Sequence, residues 1–402
     1  MKKKILFFGE GIALSHIVRP LYLAKGLDRE KYEVAFACSA SNKNFVKEKF
    51  DQYFEIKSMS PDEFEKRLTS IGKIYDETII STYIEDELRI FAEYKPDAVI
   101  GDMRITLGLS ARQAHVPYIN LCNGYWSTGS TQKRAMPEVP HLQKLPVTIS
   151  KLIARVLYPT VVRGYVGDYN KHAKPLGMLK ARTMQDINCN GDWNLYIDIP
   201  SLAPTKDIPS THKYIGPITD LFNNELPDWW DSLNTTRPII YFTTGSTGNV
   251  NFVNEIISAL MDLPVTVVMS TGGREIKQKL PENFYVGKYL PACKVIEKSD
   301  LVICNGTGSI NQAFQYGKPI IAFAQNADQF LAMEMVVKLK AGMLIHGHMA
   351  KKEYINKCID RMLSEDSWKK NAEKLRIEIQ DYDPKELFKK YLDEVLGSMS
   401  NS

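Results

Sequence analysis

The stretch 300–329, DLVICNGTGSINQAFQYGKPIIAFAQNADQ, constrains this chain more than any other. An apolar run, Leu301-Val302-Ile303-Cys304, suits a buried strand and breaks into the small polar turn Asn305-Gly306-Thr307-Gly308-Ser309. A helical pattern follows and stops before Gly317-Lys318-Pro319. A second apolar run, 319–324, then leads to Asn326-Ala327-Asp328-Gln329. Strand, glycine turn, helix, strand is a βαβ unit, which requires a parallel sheet. A glycine turn feeding a helix N-terminus leaves backbone N–H groups aimed at one point, which suits a phosphate. From this stretch alone, a phosphate cradle and a plain crossover that binds nothing are equally compatible with the pattern.

The rest of the chain repeats the same alternation. Apolar runs at 5–8, 34–38, 98–100 and 118–121 alternate with helical patterns at 21–27, 42–50 and up to His115. A second series begins at 239–243 and continues through 265–269 and 284–286 to the 300–329 stretch, a helix to Lys340 and a strand near Met343, with two helical segments at the end. We therefore expect two doubly wound domains. The N-terminal one spans 1–218, a polar linker 219–237, the C-terminal one 238–380, and a final helix in 381–402 packs back toward the first. The section 125–184 changes character, carrying Pro137, Pro140, Pro146, Pro159 and Pro175 around a helical stretch with Lys151, Arg155, Arg163 and Lys171. A helical insertion covering one side of a cleft is expected there. Its basic residues fit either a solvated face or peripheral membrane contact through 149–174.

Composition excludes several classes. A net charge of +4 over 402 residues, without an arginine-rich tract, does not suggest nucleic acid as a partner. The six cysteines show no CxxC and sit partly in apolar runs, as reduced core thiols do. The apolar run after the N-terminal lysines ends at Gly9-Glu10, too short for a secretory signal, and no run is long enough to span a membrane. A cytoplasmic protein is expected.

Several residues could carry chemistry. The turn Gly245-Ser246-Thr247 follows a strand as the one at 305–309 does, and two such turns facing one cleft could hold a diphosphate. Neither is a P-loop, and Gly9-Glu10-Gly11 lacks the third glycine of a dinucleotide fingerprint. His16 lies in the loop after the first strand and Asp102 at the carboxyl end of another. A carboxylate there could orient an imidazole and stabilise its charged form, or it could cap the following helix. Asp381-Tyr382-Asp383 reads as a helix start rather than a metal motif, because Asp383-Pro384 with Glu386 is a cap sequence. No His/Cys cluster has metal-ligand spacing, so no metal and no resident cofactor are expected.

These residues, in this order, resemble the GT-B fold nucleotide-sugar glycosyltransferases, specifically the UDP-glycosyltransferase-like family, over nearly the whole chain. Ser15-His16 with Leu21, Leu23-Ala24 and Leu27 resembles the family's catalytic-histidine loop and helix, with Arg19 where proline is usual, a difference assigned no consequence for the chemistry. Tyr214-Ile215-Gly216-Pro217 matches the family's pattern before the linker. Tyr289-Leu290-Pro291 stands for its W-x-P, and Asn305 to Ser309 for its G-G-x-G-T, with Cys304 in the place of histidine. The resemblance implies His16 as general base oriented by Asp102. It implies Gly245, Ser246, Thr247, Asn305, Gly306, Thr307, Gly308 and Ser309 at the diphosphate, and Tyr289, Leu290 and Gln312 at base and ribose. Asp328 and Gln329 would bind the donor sugar. The activity implied is inverting, metal-independent transfer from a UDP- or dTDP-sugar, the co-substrate, to a hydroxyl of a small-molecule, lipid or saccharide acceptor. A nucleotide-sugar 2-epimerase of the same fold and a non-catalytic nucleotide binder are the alternatives.

Overall fold

The computed structural model describes residues 2–46, 49–69, 73–132, 147–219, 225–243, 252–276 and 278–399. Two parallel sheets organise them. The first contains β1 (Lys3–Gly9), β2 (Tyr32–Cys38), β3 (Gln52–Glu55), β4 (Ala98–Asp102), β5 (Tyr118–Cys122), β6 (Trp193–Tyr196) and β7 (His212–Tyr214) in the order β3-β2-β1-β4-β5-β6-β7. The second contains β8 (Ile239–Thr243), β9 (Thr266–Ser270), β10 (Phe284–Gly287), β11 (Leu301–Cys304), β12 (Ile320–Ala322) and β13 (Gly342–Leu344) in the order β10-β9-β8-β11-β12-β13.

The central strands read as unbroken apolar runs because helices cover both faces of each sheet. Ile5, Leu6, Phe7 and Phe8 of β1 are all fully buried, as are Leu301, Val302 and Ile303 of β11. The apolar runs are therefore legible as strands. β3 and β7 were not expected. Both are short edge strands, with sequences QYFE and HKY, and neither has the apolar run of a doubly covered strand. The helix expected at 42–50 is a single 3-10 turn, Ala40–Asn42, with a short helix, Lys43–Val46. The chain ends in three described helices rather than two, Lys352–Ser364, Asp366–Gln380 and Pro384–Met399. In the last, Phe388, Leu392 and Val395 join the core of the first sheet, with the Phe388 ring 5.8 Å from that of Phe7. Asp383 accepts from the backbone N–H groups of Lys385 and Glu386 at 3.0 and 3.1 Å, the cap its sequence implies.

The helical insertion forms as Val147–Ala173. Its Val162, Tyr165, Val166 and Tyr169 are buried with Ile12, Met59, Tyr83 and Ile105, so its C-terminal half lies over loops at the carboxyl edge of the first sheet. Lys171 pairs with Glu77 and Asp168 at 3.0 and 2.8 Å, and Arg163 is exposed. The side chains of Lys151 and Arg155 lie outside the described residues. No described helix is long and apolar enough to cross a membrane.

Beneath this helix lies an ion cluster with no sequence signal. Arg104 is buried between Glu87, at 2.6 Å, and Glu10, at 2.9 Å, with its guanidinium 3.6 Å over the Tyr83 ring. Thr106 and Ser110 donate to Glu87, and Ser58 donates to Glu10. Glu10, which would repel a diphosphate, is committed to holding three loops together.

Candidate active site

In each sheet the strand order reverses once, between β1 and β4 in the first and between β8 and β11 in the second. Open α/β sheets bind ligands at the carboxyl ends of their strands at that reversal. His16 and Asp102 fall on the first reversal, and the turn from Asn305 to Ser309 on the second.

At the first, β1 pairs with β4 so that Gly9 stands opposite Asp102, and the helix Ser15–Lys25 starts just beyond Gly9. This brings His16, in the first turn of that helix, to Asp102 with Nδ1 2.8 Å from Oδ1. Asp102 is completely buried. It does not cap the next helix, Leu107–Ala114, whose N-cap residue is Thr106. Arg19, one turn on from His16, also reaches Asp102. Its Nη2 donates to Oδ1 at 2.9 Å, and Nε lies 2.7 Å from Oδ2, a charge contact whose N–H direction falls short of a hydrogen bond. Burial pushes the Asp102 carboxyl up, but Arg19 and then His16 oppose it and hold it below the usual carboxylate range. The position that sequence reasoning set aside is thus at the centre of the site.

A second buried carboxylate stands beside the first. Asp198, just past β6, accepts from the Gly124 backbone N–H at 2.7 Å and from Asn123 Nδ2 at 3.1 and 3.2 Å. Burial raises its carboxyl despite these donors. Asn123 joins the two carboxylates, since its Oδ1 accepts from Arg19 at 3.3 Å. Asp198 also accepts from Asn311 Nδ2 at 3.4 Å, and Asn311 belongs to the second half of the molecule.

At the second reversal, β11 leads into the turn at 305–307 and the helix Gly308–Gln315. Gly306 has φ +105°, which only glycine adopts cheaply, and a side chain there would meet Gln329 at 3.4 Å. The turn and the Asp328-Gln329 pair are therefore neighbours. Thr307 is a non-glycine residue with φ 57° and ψ −121°, a strained backbone held by its surroundings. Thr307→Gly should raise stability by roughly 1 kcal/mol, the strain relieved less the extra chain entropy of glycine. A urea midpoint that falls instead would mean that the threonine is unstrained. The turn Gly245-Ser246-Thr247 lies outside the described residues.

Cys304, Asn305, Thr243, Phe242, Gln325 and Arg274 line one cleft here. Burial pushes the Cys304 thiol up to about 12, so it stays neutral and offers a phosphate no charge. Arg274 was missed from sequence. The available signal was the same as for the other turns, a glycine pair (Gly272, Gly273) after β9. Tyr289 is 62% exposed and stands against Gly273, as an open stacking surface would. The Leu290 side chain is buried in the core. Gln312 Nε2 donates to the Thr219 carbonyl at 3.1 Å, tying the helix to the chain leaving the first sheet.

Asp328 and Gln329 open the helix Ala327–Lys338, capped by Asn326, whose side chain accepts from Gln329 N at 3.0 Å. Gln329 Oε1 accepts from Gln325 N at 2.7 Å. Asp328 Oδ1 accepts from Trp126 Nε1 at 2.9 Å, and burial, followed by the charge of this carboxylate, raises the nearby Tyr125 phenol. Both aromatic residues follow β5. Contacts at Asp198 and at Asp328 therefore join the two halves at the carboxyl ends of their strands.

The segment 254–393 matches the family model for the Erythromycin biosynthesis protein CIII-like, C-terminal domain. Over 384 residues the chain is 35% identical to the PGL/p-HBAD biosynthesis rhamnosyltransferase of Mycobacterium bovis (strain BCG / Pasteur 1173P2), covering 93% of this chain and 84% of that one. It is 34% identical over 380 residues to the PGL/p-HBAD biosynthesis glycosyltransferase of Mycobacterium tuberculosis (strain ATCC 25177 / H37Ra), covering 93% and 88%. The solved Spinosyn Rhamnosyltransferase SpnG complexed with thymidine diphosphate superposes with a TM-score of 0.69 at 16% identity, covering 96% of this chain and 99% of that one. With two doubly wound sheets joined at the carboxyl ends of their strands and relatives of this extent, the chain belongs to the nucleotide-sugar glycosyltransferases of the GT-B fold, the UDP-glycosyltransferase-like (GT1-type) family.

Proposed function

We propose that the enzyme transfers a hexosyl group from a dTDP- or UDP-sugar to an acceptor hydroxyl with inversion at the anomeric carbon. His16 acts as general base and Asp102 orients it. The observation that carries this is the His16 Nδ1 contact with a fully buried Asp102 at 2.8 Å, at a strand reversal facing the glycine turn of the other half. The reading requires the tautomer with its proton on Nδ1, directed at the acceptor-only carboxylate, and with Nε2 as the open lone pair; Arg19 Nη2 stands 2.7 Å from the same Nδ1. Nε2 would take the acceptor proton as the oxygen attacks the anomeric carbon, while the bond to the diphosphate oxygen breaks on the opposite face. The departing charge would be received by the N-terminus of the helix Gly308–Gln315 and by Arg274, without need of a metal ion. Tyr289 would stack on the base, and Asp328 with Gln329 would bind donor-sugar hydroxyls once Trp126 yields the carboxylate.

The names of the relatives favour a deoxyhexose such as rhamnose as the transferred sugar, and the nucleotide in the SpnG complex favours dTDP. The acceptor is a small-molecule, lipid or saccharide hydroxyl. Peripheral membrane contact through 149–174 would suit a lipid acceptor.

A thermal-shift panel of UDP, dTDP, GDP and NAD, followed by turnover of dTDP- and UDP-sugars with phenols, fatty alcohols and methyl glycosides, tests this reading. At a concentration 100-fold above its Kd, the correct nucleotide adds about 2.7 kcal/mol of apparent stability. Acceptor-dependent release of that nucleotide, unchanged in EDTA, is the expected result. An epimerised or hydrolysed sugar formed without acceptor would point to epimerase chemistry. The absence of any nucleotide shift would overturn the donor site.

A further inference from the structure

Arg19 makes contacts that no orienting carboxylate needs for geometry alone. Asp102 is buried without access to water, and before proton transfer its imidazole partner is neutral. One neutral hydrogen bond does not compensate a carboxylate removed from solvent; such a group takes up a proton or requires a counter-ion. The Arg19 guanidinium supplies that charge, touching both oxygens at 2.9 and 2.7 Å. Gripped from two sides, the carboxylate cannot rotate, and Oδ1 stays directed at Nδ1. The same guanidinium donates to Asn123 at 3.3 Å, Asn123 donates to Asp198 at 3.1 Å, and Asp198 is met at 3.4 Å by Asn311. Asn311 is one turn into the helix whose N-terminus forms the glycine turn. A continuous polar chain therefore runs from His16 to the donor half.

We propose that Arg19 is a positioning residue of this enzyme, the counter-ion that fixes Asp102 while His16 is neutral and links the dyad through Asn123 and Asp198 to the donor-side helix. It acts on the dyad, gripping Asp102 and standing with Nη2 2.7 Å from His16 Nδ1, and does not touch substrate. The inference rests on the reading of His16 as base, and the test separates the two.

The test compares wild type, His16→Ala, Arg19→Ala, Arg19→Lys and Asn311→Ala with the donor and acceptor pair that the panel above turns over fastest. Misaligning a reacting group by about an ångström costs roughly 10²-fold, so Arg19→Ala should lose about that much in kcat, with the donor KM within threefold of wild type. Lysine restores the charge without the fork, so Arg19→Lys should fall between Arg19→Ala and wild type. Added guanidinium ion should recover Arg19→Ala at least several-fold and leave His16→Ala unchanged. Asn311→Ala should lower kcat more than it raises the nucleotide Kd, because its partner is Asp198 rather than the donor. If His16→Ala is inactive while Arg19→Ala stays within threefold of wild type, the inference fails and the base remains. A loss in Arg19→Ala that guanidinium does not rescue, and that tracks a lowered melting temperature, also overturns it. If His16→Ala keeps near wild-type activity, the base reading fails and the inference with it. Should Arg19→Ala not fold, Arg19→Lys decides: wild-type kcat in a lysine variant with a normal melting temperature contradicts a role for the guanidinium fork.

Discussion

Replacing His16 with alanine should lower kcat by roughly 10²–10⁴-fold, the usual contribution of a positioned general base. Nucleotide affinity should hardly change, because His16 stands at the β1/β4 reversal while the glycine turn stands at the β8/β11 reversal, with Arg274 lining the cleft beside it. The effect should therefore appear in turnover and not in the thermal shift given by dTDP or UDP. The alanine also removes the ring nitrogen 2.8 Å from Asp102 Oδ1, but Arg19 remains as counter-ion. We accordingly expect His16→Ala to fold normally. Activity within tenfold of wild type, measured by nucleotide release at saturating donor and acceptor, would remove His16 from the base role.

The largest expected loss of stability lies elsewhere, at Arg104. Its substitution by alanine leaves Glu10 and Glu87 buried together without their shared cation and removes the guanidinium from the Tyr83 ring. Breaking a buried ion pair by removing one partner costs about 3–5 kcal/mol. Burial already raises the Glu87 carboxyl even with Arg104 beside it. Without Arg104, Glu87 would be held neutral in the folded chain at a pH where it is ionised when unfolded. A carboxyl with a raised folded pKa destabilises above its unfolded value and not below it. The deficit should therefore be larger at pH 7.5 than near pH 5, a difference that urea midpoints at the two pH values would read. Equal midpoints for Arg104→Ala and wild type at pH 7.5 would show that the cluster is hydrated and contributes little.

Much of this was legible in the amino-acid order, and what was not has a common cause. The central strands carry apolar runs because each is covered on both faces, and the glycine turn after β11 announces itself by composition. His16 and Asp102 were readable as a pair because each follows a strand that a doubly wound sheet places side by side, as the Gly9 and Asp102 register shows. Arg19 was passed over because its sequence context says only that it lies on an amphipathic helix. Its partner, Asp102, is set by the β1/β4 pairing rather than by local spacing. Trp126 with Asp328, Asn311 with Asp198, and Arg104 with its two glutamates are likewise contacts between distant segments, without periodicity or motif to mark them. Gln312 adds a contact of the same kind. Its position in the family pattern implies the ribose, and in the structure its side chain also holds the Thr219 carbonyl, a contact with the chain leaving the other half.

The donor half differs in emphasis from what a histidine-bearing turn would give. With Cys304 neutral and buried, the proposed diphosphate would rely on backbone N–H groups at the helix start, with Arg274 lining the same cleft. If Asp328 binds a sugar hydroxyl as proposed, it would exchange Trp126 for it, which would link donor binding to the contact between the halves at that carboxylate.

The most direct test of the account is the anomeric configuration of the glycoside formed from a dTDP- or UDP-sugar, read by NMR on the product of wild type beside that of His16→Ala. A single displacement driven by His16 predicts a product of inverted configuration, formed one for one with the released nucleotide and nearly absent with the variant. A product of retained configuration, or an inverted product made equally well without His16, would contradict it.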